Sequence, residues 1–336
     1  MINKTVLITG ASGFIGSFLV EEGLKRGFKV YAGIRKSSSR KYLNDSRIQF
    51  IEIDFSTTSG ISGTLEELKK TGIRFDYIIH NAGLVRAKKK DDFFQVNYRN
   101  TKNFIEALVQ TAMIPEKFIF ISSLAAYGPG DPVTMKPVML NDVPEPVDVY
   151  GKSKLEAEKY LVSLDTFPWL IIRPTGVYGP REKDYFVFFQ TINRGLETYI
   201  GSARQIITFI YVKDLVRLIF DALTSPVKHM SYFVSDGKEY DTFEFAQIVK
   251  AALNKKTLRL TVPRYLVKGI AFVLEKSFAL AGSIPTLNTD KYRIISSINW
   301  RCETEPAARD FNFKAEYNLE KGVAEALDWY KAEGWI

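Results

Sequence analysis

Tyr150 and Lys154 stand four residues apart in the run Tyr-Gly-Lys-Ser-Lys, a spacing that places both on one face of a helix. A phenol ionises near pH ~10 and is a poor base at neutrality. A nearby lysine ammonium favours the phenolate and is expected to lower that value. Tyr150 could then exchange a proton with a hydroxyl or carbonyl while hydride moves to or from a nicotinamide. Ser123, just beyond the apolar run Lys117 to Ile121, could hydrogen-bond the same oxygen. A Tyr-x-x-x-Lys pair alone recurs by accident on surface helices. Here a glycine-rich turn, a strand ending in Ser122-Ser123 and then this helix follow one another in the chain.

The glycine-rich turn is Gly10-Ala11-Ser12-Gly13-Phe14-Ile15-Gly16, between an apolar run and a helical pattern. Glycine at 10 permits a tight turn, at 13 close approach of a pyrophosphate, and at 16 close packing of helix on strand. The backbone of Ser12, Gly13, Phe14 and Ile15 would supply the N–H groups that a phosphate meets at a helix start. A carboxylate for the ribose 2′-hydroxyl of NAD is expected ~20 residues on. The second strand instead ends Gly33-Ile34-Arg35-Lys36. Arg35 could pair with a 2′-phosphate, so NADP is favoured over NAD; otherwise it stacks on the adenine or lies in solvent. Asp54, with Phe55 beside it, could accept from the adenine amino group or serve only as a cap in a loop.

These residues need a frame. Thr5–Thr9, Lys29–Ile34, Ile48–Ile53, Tyr77–Ile79, Lys117–Ile121 and Trp169–Ile172 read as six short strands, apolar on both faces. Helical patterns lie between them: one from Phe14 to near Gly27, a short one over Glu66–Lys70, a long amphipathic one over Phe93–Thr111, and Tyr150–Leu164. The alternation predicts an α/β fold, a Rossmann doubly wound parallel sheet covered on both sides. Phe209–Leu223 reads as one more strand-plus-helix unit returning to the sheet. The expected division is a dinucleotide-binding domain over 1–180 plus about 206–235. A smaller, discontinuous C-terminal substrate lobe would take about 181–205 plus 236–336.

At 336 residues, two cooperating lobes are the expectation. The net charge of +8 suits anionic ligands or a solvated surface. No run of five basic residues accompanies it, so nucleic acid is not an expected partner. One cysteine, Cys302, precludes an internal disulfide and fits a reducing, cytoplasmic setting. With only His80 and His229 beside it, no metal site is expected. The first strand begins so early that no signal peptide is expected. The apolar stretch Tyr265 to Ile284 is broken by Lys268, Glu275 and Lys276. No membrane span is expected there; a buried or lid helix is the better reading, with interfacial membrane contact as an alternative. Arg86, Lys88, Lys89 and Lys90 could meet an anionic substrate or form a solvated loop.

Taken together, Thr9 to Gly16, His80-Asn81-Ala82-Gly83, Asn97 with Asn100-Thr101, Ile121-Ser122-Ser123 through Tyr127-Gly128, Tyr150 to Lys154, Arg173-Pro174 through Val177-Tyr178-Gly179-Pro180, and Phe209 to Asp214 resemble the extended short-chain dehydrogenase/reductase family. That family includes nucleotide-sugar epimerases and dehydratases, dihydroflavonol-type reductases and 3β-hydroxysteroid dehydrogenases. The resemblance covers about the first two-thirds of the chain, and the last hundred residues match loosely, as a variable substrate lobe would. It implies catalytic roles for Ser123, Tyr150 and Lys154, with Lys154 also gripping the nicotinamide ribose. Tyr127, four residues past Ser123, marks Ser123 rather than Ser122 as the catalytic serine. Ala82 and Gly83 would pass the cofactor diphosphate and ribose, Pro174 and Val177 would flank the nicotinamide, and Asn97 would lie on the cofactor side. Val85 and Tyr178, with Ser123, would face substrate. A homodimer through helices like 93–111 and 150–164 is implied as well.

Two substrate classes follow. The resemblance of Val30 to Arg35 to the NADP-using reductases points to an oxidoreductase acting on a small-molecule alcohol or ketone. The alternative is a UDP-sugar epimerase with tightly held NAD. Enzymes of nucleotide sugars commonly carry asparagine where this chain has Gly176, and dehydratases carry an acid beside the catalytic serine, where this chain has Ser122 and Leu124. Phe272, Val273, Leu274, Phe278 and Leu280 would suit a bulky apolar substrate, a core or a dimer face. A non-catalytic dinucleotide sensor on the same fold would not need the Tyr–Lys pair.

Overall fold

Short runs rich in Val, Ile, Phe and Tyr form strands that bury both faces, which requires helices above and below. In the computed structural model, which describes residues 4–201, 204–280 and 287–336, seven such strands make one sheet. They are β1 (Thr5–Thr9), β2 (Lys29–Ile34), β3 (Gln49–Glu52), β4 (Tyr77–His80), β5 (Lys117–Ile121), β6 (Trp169–Pro174) and β7 (Met230–Val234). Their spatial order is 7-6-5-4-1-2-3, and every neighbouring pair is parallel. The chain order reverses between β1 and β4, the switch point at which such sheets bind ligands.

Helices α1 (Phe14–Lys25), α2 (Thr58–Lys70), α3 (Asn100–Gln110), α4 (Val149–Val162) and α5 (Val212–Thr224) cover the two faces. Alternation along β1 separates them: Val6 and Ile8 join the core under α1 and α5, while Leu7 joins the core under α2, α3 and α4. α2 starts earlier than its sequence pattern predicts, because the Thr57 side chain caps it by accepting from Gly60 N. The long helix predicted over 93–111 is wound as a π-helix over Phe94–Arg99 before α3 begins.

One strand is corrected. Phe209–Tyr211 does not return to the sheet; it pairs with Gly176–Tyr178 in a separate two-stranded ribbon. The strand that does return is β7, beside β6, although the helix after Phe209–Tyr211, α5, packs on the sheet as expected. A third, aromatic core gathers Tyr178, Phe189, Phe209, Tyr211, Phe245 and Tyr330 from the chain after β6. Ala307 and Phe311, far along the C-terminal region, pack instead on the α1–α5 face of the sheet. The predicted apolar stretch Tyr265–Ile284 forms helix α6 (Arg264–Leu280); its last residues, from 281, lie outside the described residues.

Register places the site. Thr9 stands opposite Gly33 and His80, His80 opposite Phe120, and Ile121 opposite Ile172. The turns that follow these residues therefore leave from one carboxyl edge of the sheet.

Candidate active site

At the switch point, β1 gives way to the glycine turn. Gly10 has φ +65°, and a side chain there would place Cβ 2.8 Å from the Ala82 backbone. The Gly16 backbone lies so close to the Gly10 carbonyl that a Cβ would overlap its oxygen. These two glycines fix the geometry of the turn. Gly13 differs: a Cβ there would meet only the Gly10 oxygen, at 3.3 Å. Gly13 is also the N-cap of α1, with no side chain capping it. The turn thus presents a helix start with positive dipole character on an exposed glycine, with Ser12, Phe14 and Ile15 half-buried around it. These residues fit a dinucleotide pyrophosphate.

Across the switch point, Ala82 N donates to Thr9 Oγ1 at 3.1 Å. His80 is held as a buried, neutral imidazole. Its ring nitrogens lie 2.9 Å from Thr9 Oγ1 and 3.0 Å from Thr101 Oγ1, it stacks among Phe104, Phe118 and Phe120, and burial pulls its pKa down to about 3. Gly83 leaves room for two neighbours: Asn97 Oδ1 and Lys154 Nζ would each lie 3.2 Å from a Cβ there. Asn97, buried in the π-wound turn, accepts from Leu84 N at 2.7 Å and donates to Leu84 O at 3.0 Å and Ser153 Oγ at 2.9 Å. It fastens the loop after β4 to α4.

Ser123 and Tyr150 meet because α4 sits directly on the turn after β5. A Cβ on Gly151 would overlap the Ala125 carbonyl. Asp148, buried, caps α4 by accepting from Gly151 N at 2.9 Å. Ser123 Oγ accepts from Ala125 N at 3.2 Å, and the Ser123 hydroxyl is a hydrogen-bonding neighbour of the Tyr150 phenol. Lys154, 4% exposed, donates to the Ile121 carbonyl at 2.8 Å with its ammonium 4.7 Å from the Phe120 ring. Burial pulls that ammonium down to about 8, while Glu158 raises it.

The expectation that Lys154 lowers the Tyr150 phenol is not met. Burial pushes the phenol up, the Ser123 bond pulls it down, and the charges of Asp148 and Glu158 add to the rise. The reason is geometric: the ammonium is turned to the Ile121 carbonyl, while two carboxylates flank the phenol's helix. The Tyr150 phenol is therefore held in its protonated form at neutral pH.

Arg35 and Lys36 are exposed just beyond β2; Arg35 N donates to Ser38 Oγ at 3.0 Å. Asp54 is exposed and accepts from Ser56 N at 3.0 Å, as in a turn. Phe55 packs edge-on against His80 and Phe104. Pro174 ends β6, buried, and Val177 is half-buried against the sheet core. Val85 is exposed in the loop after β4. Tyr178 is not brought to this edge: it is 1% exposed, packs on Phe209 and Tyr211 and donates to the Asn318 carbonyl at 3.3 Å. Its place is the aromatic core, because successive residues of its strand point oppositely and Val177 takes the sheet side.

Three residues, Glu158, Arg173 and Asp148, were given no role by the sequence. Glu158 and Arg173 form a buried ion pair at 2.8 Å, Ser122 Oγ donates to the same carboxylate, and Arg173 also donates to Ser231 at 2.9 Å. Glu158 is four residues past Lys154, a spacing that could have flagged it, but its partner lies on another strand. Asp148, two residues before Tyr150, had a legible signal as an N-cap acid.

A model of the NAD dependent epimerase/dehydratase family matches residues 6–233. A UDP-glucose 4-epimerase of Vibrio cholerae is 30% identical over 313 residues, covering 89% of this chain and 90% of its own. A ceramide reductase of Caulobacter vibrioides is 24% identical, with 98% of this chain and 96% of its own covered. Among solved structures, a UDP-glucose 4-epimerase of Thermotoga maritima with UDP-glucose superposes with a TM-score of 0.78 at 19% identity, covering 98% of this chain and 99% of its own.

Proposed function

The chain belongs to the NAD dependent epimerase/dehydratase family, and from that premise we propose that it is an NADP-dependent oxidoreductase that interconverts a carbonyl and an alcohol on a bulky, largely apolar small molecule. The observation that carries the choice of substrate is at Gly176. The space a side chain would need there is filled by the Tyr185 hydroxyl and, at 3.0 Å, by the Phe209 ring. The asparagine that nucleotide-sugar enzymes commonly carry at this position would have to displace the Tyr185 hydroxyl and press on the Phe209 ring. The likeness to a ceramide reductase supports the same reading.

A bound nicotinamide would supply or accept hydride. The protein's own groups do the rest. Gly10, Gly13 and Gly16 shape the pyrophosphate seat, with Ser12, Phe14 and Ile15 around it. Arg35 and Lys36 meet a 2′-phosphate, and Asp54 and Phe55 lie on the adenine side. Ala82, Gly83, Asn97, Pro174 and Val177 border the ribose and nicotinamide. Ser123 and Tyr150 hydrogen-bond the reacting oxygen, and in reduction Tyr150 donates its phenolic proton to that oxygen. Lys154, its ammonium anchored on the Ile121 carbonyl, would donate to a hydroxyl of the nicotinamide ribose, and turning toward the phenol it would stabilise the phenolate left behind.

The test is spectrophotometric. With a panel of apolar ketones, net NADPH oxidation is expected, and Tyr150→Phe is expected to slow it about 10²–10⁴-fold; an unchanged rate overturns the assignment. Thermal shift should be larger with NADP than with NAD, and the reverse order overturns the role given to Arg35. A second reading, UDP-sugar epimerisation with retained NAD, draws on the 30% identity to the Vibrio cholerae epimerase. Interconversion of UDP-glucose and UDP-galactose without net nicotinamide turnover would select it.

A further inference from the structure

Helix α6 is amphipathic in the unusual sense. Its inward face is small, with Val267 and Ala271 buried, while Tyr265 is 73% exposed, Phe272 55% and Val273 59%. Leu266 and Ile270 are exposed with them. At 100° per residue, Phe272, Tyr265, Val273, Leu266 and Ile270 sweep one broad outward arc. Burying such residues ordinarily stabilises a fold, so an outward apolar arc of this width marks a contact surface.

The sequence leading into it and along it is basic, with Arg259 paired to Glu197 and the other cations on the same stretch. Between residues 255 and 276 the chain carries Lys255, Lys256, Arg259, Arg264, Lys268 and Lys276 against the single acid Glu275. Glu275 is turned inward, accepting from Thr289 N at 3.0 Å. Lys268 and Lys276 are exposed among the outward apolar residues, and Lys276 lies 5.7 Å from the Phe272 ring. Two copies of this face brought together would oppose cation to cation. Among the described residues no helix is long and apolar enough to cross a membrane.

We propose that α6 docks this protein on an anionic lipid bilayer, its aromatic and aliphatic arc entering the interface and its lysines facing the headgroups. Lysine-rich helices with Trp, Phe or Leu on one side lie in that plane, and each basic residue adds electrostatic attraction to anionic lipid. The arrangement also orients the protein. Glu275 bonds Thr289, and Lys291 on the same short helix, Thr289–Ser296, shares Asp184 with Arg86 of the loop after β4, so α6 stands on the side of the molecule where that loop lies. This surface is independent of the substrate assigned to the cleft.

Co-sedimentation of the full chain with vesicles tests it, using phosphatidylcholine alone and phosphatidylcholine with one-quarter phosphatidylglycerol. The expected result is binding to the anionic vesicles that weakens with salt. Lys268→Gln and Lys276→Gln should each lower the partition coefficient about fivefold. A triple Tyr265→Ser, Phe272→Ser, Val273→Ser variant should lose binding while keeping its circular dichroism and its thermal shift with dinucleotide. If that triple variant does not fold, hydrogen exchange of the unaltered chain decides: protection of 264–280 gained on adding anionic vesicles supports docking. Pelleting no greater than without lipid overturns the proposal. So does protection of 264–280 that rises with protein concentration alone, which would assign the face to a second copy of the chain.

Discussion

Lys154 sits where its charge is costly and useful at once. Burial pulls the ammonium down to about 8 from its usual 10.5. The proposed role needs it protonated, so carbonyl reduction is expected to fall as pH rises through about 8. A pH profile of kcat checks this, and in Lys154→Arg, whose guanidinium stays charged, the residual activity should lack that fall. Stability moves in the opposite direction. The folded pKa lies below the unfolded one, so between about 8 and 10.5 the unfolded state holds more protons, and stability rises with pH across that window. Melting temperatures of wild type and Lys154→Met, compared at the two ends of the window, should shift in favour of wild type at the alkaline end.

Among the elements, the glycine turn separates folding from binding. Gly16→Ala forces a methyl onto the Gly10 carbonyl, and overpacking of this kind costs about 1–3 kcal/mol; urea unfolding should record it as a lower midpoint. Gly13→Ala meets only one atom, at 3.3 Å. It should leave the midpoint nearly unchanged yet abolish the thermal shift with dinucleotide, because the methyl enters the space over the helix start. This turn, the parallel sheet and the Ser–Tyr–Lys order were legible in the sequence, since each depends on local spacing. What was not legible depended on distant partners. The Ser- and Gly-rich start of α2 has poor helix propensity; its Thr57 cap and the packing of Ile61 and Leu65 hold it. Phe209–Tyr211 has the pattern of a sheet strand, but its neighbour is Gly176–Tyr178. Tyr178 and the Arg173–Glu158 pair likewise depended on which strand face each side chain took, which no local spacing records.

Across the whole molecule, the Arg173–Glu158 pair ties one helix to three strands of the sheet. Glu158 on α4 and Arg173 on β6 bond to one another, to Ser122 after β5 and to Ser231 on β7, with the guanidinium 4.4 Å from the Tyr127 ring and 5.3 Å from the Phe233 ring. Glu158→Gln leaves a buried guanidinium uncompensated and should destabilise by about 3–5 kcal/mol. The double change Glu158→Leu with Arg173→Met should cost less than Glu158→Gln alone, because no charge is left behind; chemical denaturation of both variants checks that order.

The position of β7 has a consequence for how the chain is made. β6 is buried along its whole length, yet the strand that flanks it is encoded more than fifty residues later. At about 5–20 residues per second, a nascent chain carries that apolar edge open for seconds, with nothing to pair its backbone. Such an edge is a template for association between chains. Ribosome-bound fragments ending before Met230 should therefore recruit chaperones or aggregate, and fragments that include Val234 should not.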